Sequence, residues 1–139
     1  MSNPTQIKDC MHRNPVTINQ SESLMKAISI IVEYKLTGLT VVDDEGGVAG
    51  ILSELDCIRN VLTALYNDGD PEHIQVGEAM EHNIQSCTSD DSIVEVAQAM
   101  VDTRQRRRPV VENGRLVGQV SSNNVLWALM AHSRHKRYS

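Results

Sequence analysis

Ser53 and Asp56, in the run Gly50-Ile51-Leu52-Ser53-Glu54-Leu55-Asp56, have the types and spacing that could do chemistry, and they recur as Ser121 and Asn124 in Gly118-Gln119-Val120-Ser121-Ser122-Asn123-Asn124. Each run is a short apolar stretch ending at a serine, with Asp or Asn three residues on. Apolar residues at helical spacing follow: Ile58, Val61, Leu62 and Leu65 in the first copy, Val125, Leu126, Leu129 and Met130 in the second. The pattern predicts a strand that turns straight into a helix. A serine at that turn accepts a hydrogen bond from a free N–H of the first helical turn, and the acid or amide reaches back, as in a capping box. The same N–H groups, with the positive end of the helix dipole, also suit an anion; the hydroxyl would then meet a phosphate and Asp56 would accept from sugar hydroxyls. Both readings use the same atoms, and the residues alone leave both open.

The elements that must position these pairs are also written twice. Ile7-Lys8-Asp9-Cys10-Met11 reads as one helical turn, and Val76-Gly77-Glu78-Ala79-Met80 is its counterpart. Asn14-Pro15 breaks the helix, and Val16-Thr17-Ile18 is a strand candidate matched by Gln85-Ser86-Cys87. Polar cap residues then lead into amphipathic helices built on Leu24, Ala27, Ile28, Ile31 and Val32, and on Ile93, Val96, Ala97, Met100 and Val101. Two hairpins follow, turning at Asp43-Asp44-Glu45-Gly46-Gly47 and at Glu112-Asn113-Gly114. This divides the chain into repeat 1 (7–66), a linker rich in turn residues (67–75), repeat 2 (76–131) and a basic tail (132–139). The expected fold is α/β (α+β): two β-α-β-β-α repeats, related by a pseudo-twofold axis and packed sheet to sheet, because neither repeat can bury its sheet face alone.

At 139 residues the two repeats must share a single domain-sized unit, and 40% hydrophobic with 22% charged residues matches a soluble globular chain. No apolar run is long enough to span a bilayer, the N-terminus has no secretion signal, and a cytoplasmic location is expected. The three cysteines, Cys10, Cys57 and Cys87, lack C-x-x-C spacing, which argues for buried free thiols over a disulfide framework or a metal site. A net charge of −5 disfavours general nucleic-acid binding, although the last eight residues carry three cationic side chains and no acid.

With I-x-D-x-M, N-P-V-T-I, G-L-T-V-V and G-I-L-S-x-x-D in this order, and the order repeated, residues 7 to 131 resemble two tandem cystathionine-beta-synthase (CBS) domains, a Bateman module. The resemblance implies binding of an adenosine-containing ligand (AMP, ADP, ATP or S-adenosylmethionine), regulation of an associated protein, and pairing into homodimers through the helices. It also implies crossed clefts. One joins Ser53 and Asp56 to Ile84, Gln85, Arg106, Arg107 and Pro109; the other joins Ser121 and Asn124 to Val16, Thr17, Gly38 and Thr40. In the second, Asn124 departs from the family's ribose-binding aspartate. Arg106 and Arg107 stand where they suit a phosphate, so the Ser53 cleft is expected to bind a nucleotide the more tightly.

The function expected is a stand-alone ligand-sensing module acting on an effector in trans, with no catalytic residues, no metal and no required cofactor. Neither a Ser-His-Asp set, a G-x-S-x-G elbow nor a glycine-rich phosphate loop occurs. The alternative is an interaction protein with empty clefts whose basic tail binds RNA or an acidic partner. Apolar residues such as Met25, Ile28, Met100 and Val101 exceed what one sheet can cover, which points to a homodimer.

Overall fold

The structure, a computed structural model, describes residues 4–138, the last four by backbone alone. In chain order the elements are β1 (His12–Arg13), β2 (Thr17–Asn19), α1 (Leu24–Tyr34), β3 (Gly38–Val42), β4 (Val48–Ser53), α2 (Glu54–Tyr66), α3 (Val76–Ala79), α4 (Ile93–Thr103), β5 (Arg107–Glu112), β6 (Arg115–Ser121) and α5 (Ser122–Tyr138). Short 3-10 turns lie at Ile7–Asp9 and Pro71–His73. The chain forms two compact units: a central one, Val16–Ile84, and a terminal one that joins the N-terminal segment up to Pro15 with the chain from Gln85 onward.

In the central unit the sheet order is β2-β3-β4, with β2 parallel and β4 antiparallel to β3. Strand alternation sends Leu39, Val41 and Leu52 to one face, where they are buried with Leu24, Ala27 and Ile31 of α1. Thr17 pairs with Thr40 and Gly38 with Ser53, so these four share the opposite face. Ser23 caps α1 by accepting from the Lys26 N–H, and Lys35 ends the helix in the left-handed region at φ 54°. The stretch read as a linker ends docked: Leu24 N–H donates to the Ile74 carbonyl at 2.8 Å, and Ile74 packs on the core.

The terminal unit has the antiparallel sheet β1-β6-β5. Its hairpin turns through Asn113 and Gly114 at φ 52° and 77°, the left-handed pair that matches strand twist. β1 was not expected from the sequence; its two residues pair with Gln119 and Gly118. The expected strand 85–87 is corrected to a single bridge between Cys87 and Val110. Cys87 N–H donates to the Pro109 carbonyl and Val111 N–H to the Cys87 carbonyl, but the next bond of a parallel ladder needs an N–H at position 109, which proline lacks. The Gln85 carbonyl accepts instead from the Gln105 side chain at 3.1 Å. In repeat 1 the corresponding residue is Thr40, and there the strand β2 forms, one residue later than expected.

The sequence repeats and the compact units do not coincide. Ile7, from repeat 1, is fully buried among Ile93, Val96, Val110 and Val120 of the terminal unit, anchored by Ile7 N–H to Asp91 O and Lys8 N–H to Ser89 O. Val76, from repeat 2, is fully buried in the central unit through the equivalent bonds, Val76 N–H to Glu22 O and Gly77 N–H to Gln20 O. Each repeat thus lends its first turn to the unit built on the other repeat's strands.

The helices orient their apolar residues unevenly, and the expectation that Met100 lies beyond the cover of its sheet is corrected. The cap at Ser53 sets the phase of α2 so that Cys57 and Val61 face its core, leaving Ile58, Leu62 and Leu65 exposed. On α5, Val125 and Ala128 are buried while Leu126 and Met130 are exposed. Met100 is buried in its own unit and offers nothing to a partner, whereas Val101 is exposed. The basic stretch continues α5; Ser139 and the side chains from His135 on lie outside the described residues.

Arg108 occupies the place that Leu39 holds in repeat 1, one residue after the partner of the strand-end serine. It is only 6% exposed; its Nε donates to Gln105 Oε1 at 3.0 Å, while buried Nη2 has no hydrogen-bond partner. An unpaired buried cation costs stability that a leucine would not. Arg108→Leu is therefore expected to raise the unfolding free energy by about 1 kcal/mol, read from the urea midpoint. Gly50→Ala is expected to do the opposite. A Cβ there would sit 2.6 Å from the Glu81 carbonyl oxygen and 2.7 Å from Met80 Sδ, and overpacking of this kind costs about 1–3 kcal/mol. Its midpoint should fall at unchanged slope.

Candidate functional site

Both strand-to-helix turns form complete caps. In the central unit Ser53 Oγ accepts from the Asp56 N–H at 3.1 Å, and Asp56 Oδ2 accepts from the Ser53 N–H at 3.0 Å. The Glu54 N–H donates to the Thr37 carbonyl at 3.2 Å, so the helix is tied to the residue before β3. Among the donors of this first turn, the Leu55 N–H is the one left over. The second carboxylate oxygen, Asp56 Oδ1, accepts from Arg59 Nη1 at 3.1 Å. Arg59 is mostly exposed, so this pair is weak and can yield to a ligand hydroxyl.

The terminal unit repeats the arrangement with different chemistry. Ser121 Oγ accepts from the Asn124 N–H at 3.1 Å, Asn124 Oδ1 accepts from the Ser121 N–H at 3.0 Å, and the Ser122 N–H donates to the Arg106 carbonyl at 2.8 Å. The cap consumes the amide oxygen of Asn124, leaving its NH2, a donor. The neighbours across the strand differ as well. Ser53 faces Gly38, which has no side chain, and Ser121 faces Arg107. Cross-strand partners point to the same face of a sheet, so Arg107, partly buried, shares the sheet face of the second serine.

The residues expected at the clefts fall into the units as follows. Ser53, Asp56, Val16, Thr17, Gly38, Thr40 and Ile84 are in the central unit; Gln85, Arg106, Arg107, Pro109, Ser121 and Asn124 are in the terminal one. Within units, Thr17, Gly38 and Thr40 share a sheet face with Ser53, and Pro109 and Arg107 share one with Ser121. Thr40 is fully buried, Val16 and Arg106 are exposed, and Gln85 holds Gln105 through its carbonyl. Sequence reasoning missed Arg59, although its i,i+3 spacing from Asp56 was a usable signal.

Chemically, the central motif carries the Asp56 carboxylate, whose Oδ1 is held only by the exposed Arg59, an acceptor suited to sugar hydroxyls. The terminal motif combines an arginine across the hairpin, an amide NH2 and the N–H of Asn123, residue types that suit an anion. The thiols are not nucleophiles here. Burial pushes Cys57 and Cys87 up to about 11, helped by Asp56 beside the first and Asp91 near the second, so both stay protonated at neutral pH. Among the described residues there is no group of three or more His, Cys, Asp or Glu placed to hold a metal ion, and no helix is long and apolar enough to cross a membrane.

Comparison with known proteins follows the same division into repeats. The CBS domain family matches residues 7–63 and again 76–131. Homoserine O-acetyltransferase of Methanococcus vannielii is 28% identical over 120 residues, covering 86% of this chain, which spans only 24% of that protein's length. CBSX2 of Arabidopsis thaliana, solved in complex with AMP, superposes with a TM-score of 0.80 at 27% identity, covering 91% of this chain and 97% of that one. A CBS domain pair solved with 5′-methylthioadenosine and S-adenosyl-L-methionine gives 0.75 at 26% identity, covering 90% and 99%. Two matched copies across most of the chain, on a fold shared with CBS-pair proteins, show that it belongs to the CBS domain family as a tandem pair.

Proposed function

We propose that the chain is a regulatory module that binds an adenosine-containing ligand in the cytoplasm and acts on an effector protein in trans, without catalysis. CBS-pair neighbours solved with AMP and with S-adenosyl-L-methionine and 5′-methylthioadenosine support the ligand class. The observation that carries the finer reading is the pairing of Arg107 with Ser121 against that of Gly38 with Ser53. The phosphorylated ligand, AMP, ADP or ATP, is assigned to the motif of Ser121, Asn124, Arg107 and Pro109. Gln85 and Arg106 are assigned supporting contacts there. The motif of Ser53 and Asp56, with Thr17, Gly38, Thr40, Val16 and Ile84, takes an adenosyl ligand through its sugar hydroxyls and needs no phosphate.

This reverses the preference that the crossed arrangement implied, because the caps already use most N–H donors of each helix. A phosphate must then be held by side chains, and charge-assisted donors are the strong ones. Calorimetry with AMP and S-adenosylmethionine tests it. Arg107→Ala should weaken AMP roughly tenfold or more, about 1.4 kcal/mol, with little effect on S-adenosylmethionine. Asp56→Ala should show the opposite selectivity. AMP binding that survives Arg107→Ala, or no binding of either ligand to the parent protein, would remove the assignment.

We also propose that the protein is a homodimer. Leu55, Ile58, Leu62 and Leu65 of α2 are 68%, 53%, 43% and 56% exposed and lie along one side of the helix. An apolar stripe of this length on a charged surface marks an interface. Sedimentation should give twice the chain mass, and Ile58→Glu should halve it; a monomeric parent at micromolar concentration would refute the claim.

A further inference from the structure

Net charge separates the two compact units. Residues 16–84, the central unit, hold three Lys and Arg against twelve Asp and Glu, a net charge of −9. Residues 1–15 and 85–139, the terminal unit, hold ten against six, a net charge of +4, and the two together give the −5 of the chain. Each unit also carries a packed helix pair, α1 with α2 and α4 with α5. The apolar parts of these two faces match. At equivalent places Val32 and Val101 are 70% and 72% exposed, Ile58 and Leu126 53% and 69%, and Leu62 and Met130 both 43%. Apolar contact has no direction, so burying either face on itself, or one on the other, removes a similar surface from water.

The charges on the two faces do not match. The bond from Glu54 N–H to the Thr37 carbonyl corresponds to that from Ser122 N–H to the Arg106 carbonyl, which fixes the equivalence of the two helix pairs. Where α1 ends and α2 begins, Glu33, Lys35 and Glu54 are exposed and sum to −1. The same corner of the terminal unit keeps the first two signs, as Asp102 and Arg104, but has Ser122 for Glu54 and exposed Arg106 for Thr37, a sum of +1. At the far end of α2 the 3-10 turn Pro71–His73, packed on both α1 and α2, brings exposed Asp70 and Glu72. The matching stretch of α5 has exposed Arg134.

From this contrast we infer that the homodimer is antiparallel: the α1–α2 face of one copy packs on the α4–α5 face of the other, and the twofold axis repeats the contact with the roles exchanged. The inference rests on the homodimer proposed above and adds its orientation. In a parallel pair each face meets itself, with Glu54 against Glu54 and Arg106 against Arg106 of the second copy, and like charges so placed oppose association. In the antiparallel pair the Glu54 corner meets the Arg106 corner. One exposed ion pair is worth little, but apolar burial is similar in both arrangements and the contact occurs twice, so charge decides between them. Glu54 follows Ser53 and Ser122 follows Ser121, so this orientation also sets each cap beside the unlike cap of the other copy.

Sedimentation equilibrium of the full chain without nucleotide tests it, on the parent, Glu54→Arg, Arg106→Glu and the double variant. Each single reversal should weaken the dimer roughly tenfold, and the double variant should return it to near the parent value. Glu54→Arg is the sharper of the two, because it makes the chain less negative and by general repulsion alone would tighten a dimer. If that variant does not fold by circular dichroism, Glu54→Gln takes its place: it should weaken an antiparallel dimer, whereas it would tighten a parallel one. Single reversals that leave the dimer unchanged or tighter, or a double variant no tighter than the singles, overturn the orientation and leave the homodimer standing. A parent chain that is monomeric at micromolar concentration overturns both.

Discussion

A helix that begins directly at the end of a strand has N–H groups that no carbonyl of its own can reach. How the chain satisfies them organises both units. Ser53 and Asp56 exchange two hydrogen bonds, and a third runs from Glu54 to the carbonyl of Thr37, one residue before β3. The start of α2 is thereby fixed to both strands of its hairpin at once. The register of Gly38 with Ser53 follows, and with it the rotation of α2 that buries Cys57 and exposes Leu55 and Ile58. The terminal unit repeats this with Ser121, Asn124, Ser122 and Arg106. A cap is worth only about 1 kcal/mol, yet here it sets which face of a whole helix sees the core.

Given one framework used twice, the differences between the copies are what the proposed function rests on. Gly38 against Arg107 changes what lies beside the serine. Leu39 against Arg108 exchanges a core side chain for a buried cation that is incompletely bonded. Thr40 against Pro109 removes a ladder donor and reduces a parallel strand to one bridge, freeing the Gln85 carbonyl to hold Gln105. These are three consecutive positions. Together they convert a sheet end with acceptors and hydroxyls into one with cations, while the backbone pairing of the hairpin is kept.

What was legible in the sequence is what local spacing determines. The caps, both hairpins and the doubled order of elements depend on residues within a few positions of one another, and the S-x-x-D and N-G signals report them directly. The two-residue strand β1 and the exchange of Ile7 and Val76 between units were not legible, because they rest on bonds to residues more than 50 positions away. The outward turn of Leu62 and Leu65 was hidden for another reason. Apolar residues occupy more than one side of α2, so periodicity did not say which side meets the sheet, and the cap decided it. At the site, residue types were readable but their grouping was not. Arg107 shares a sheet face with Ser121 because β5 and β6 are hairpin partners, a pairing that residue types alone do not state.

The caps also explain why the motif by itself identifies no ligand. If the serine and the acid were free, G-x-x-S-x-x-D would be a phosphate and ribose site wherever it occurred. Here the serine oxygen accepts from the residue at the third position, and one oxygen of that residue accepts in return, in both copies. What remains for a ligand is a hydroxyl proton, one backbone N–H, and either a carboxylate oxygen weakly held by Arg59 or an amide NH2. Those remnants are too few to select one ligand by themselves. On the proposed function, selectivity passes to the residue facing the serine across the hairpin, glycine in one copy and arginine in the other. On that reading, the motif is kept for its folding role while substitution of that single position changes the ligand.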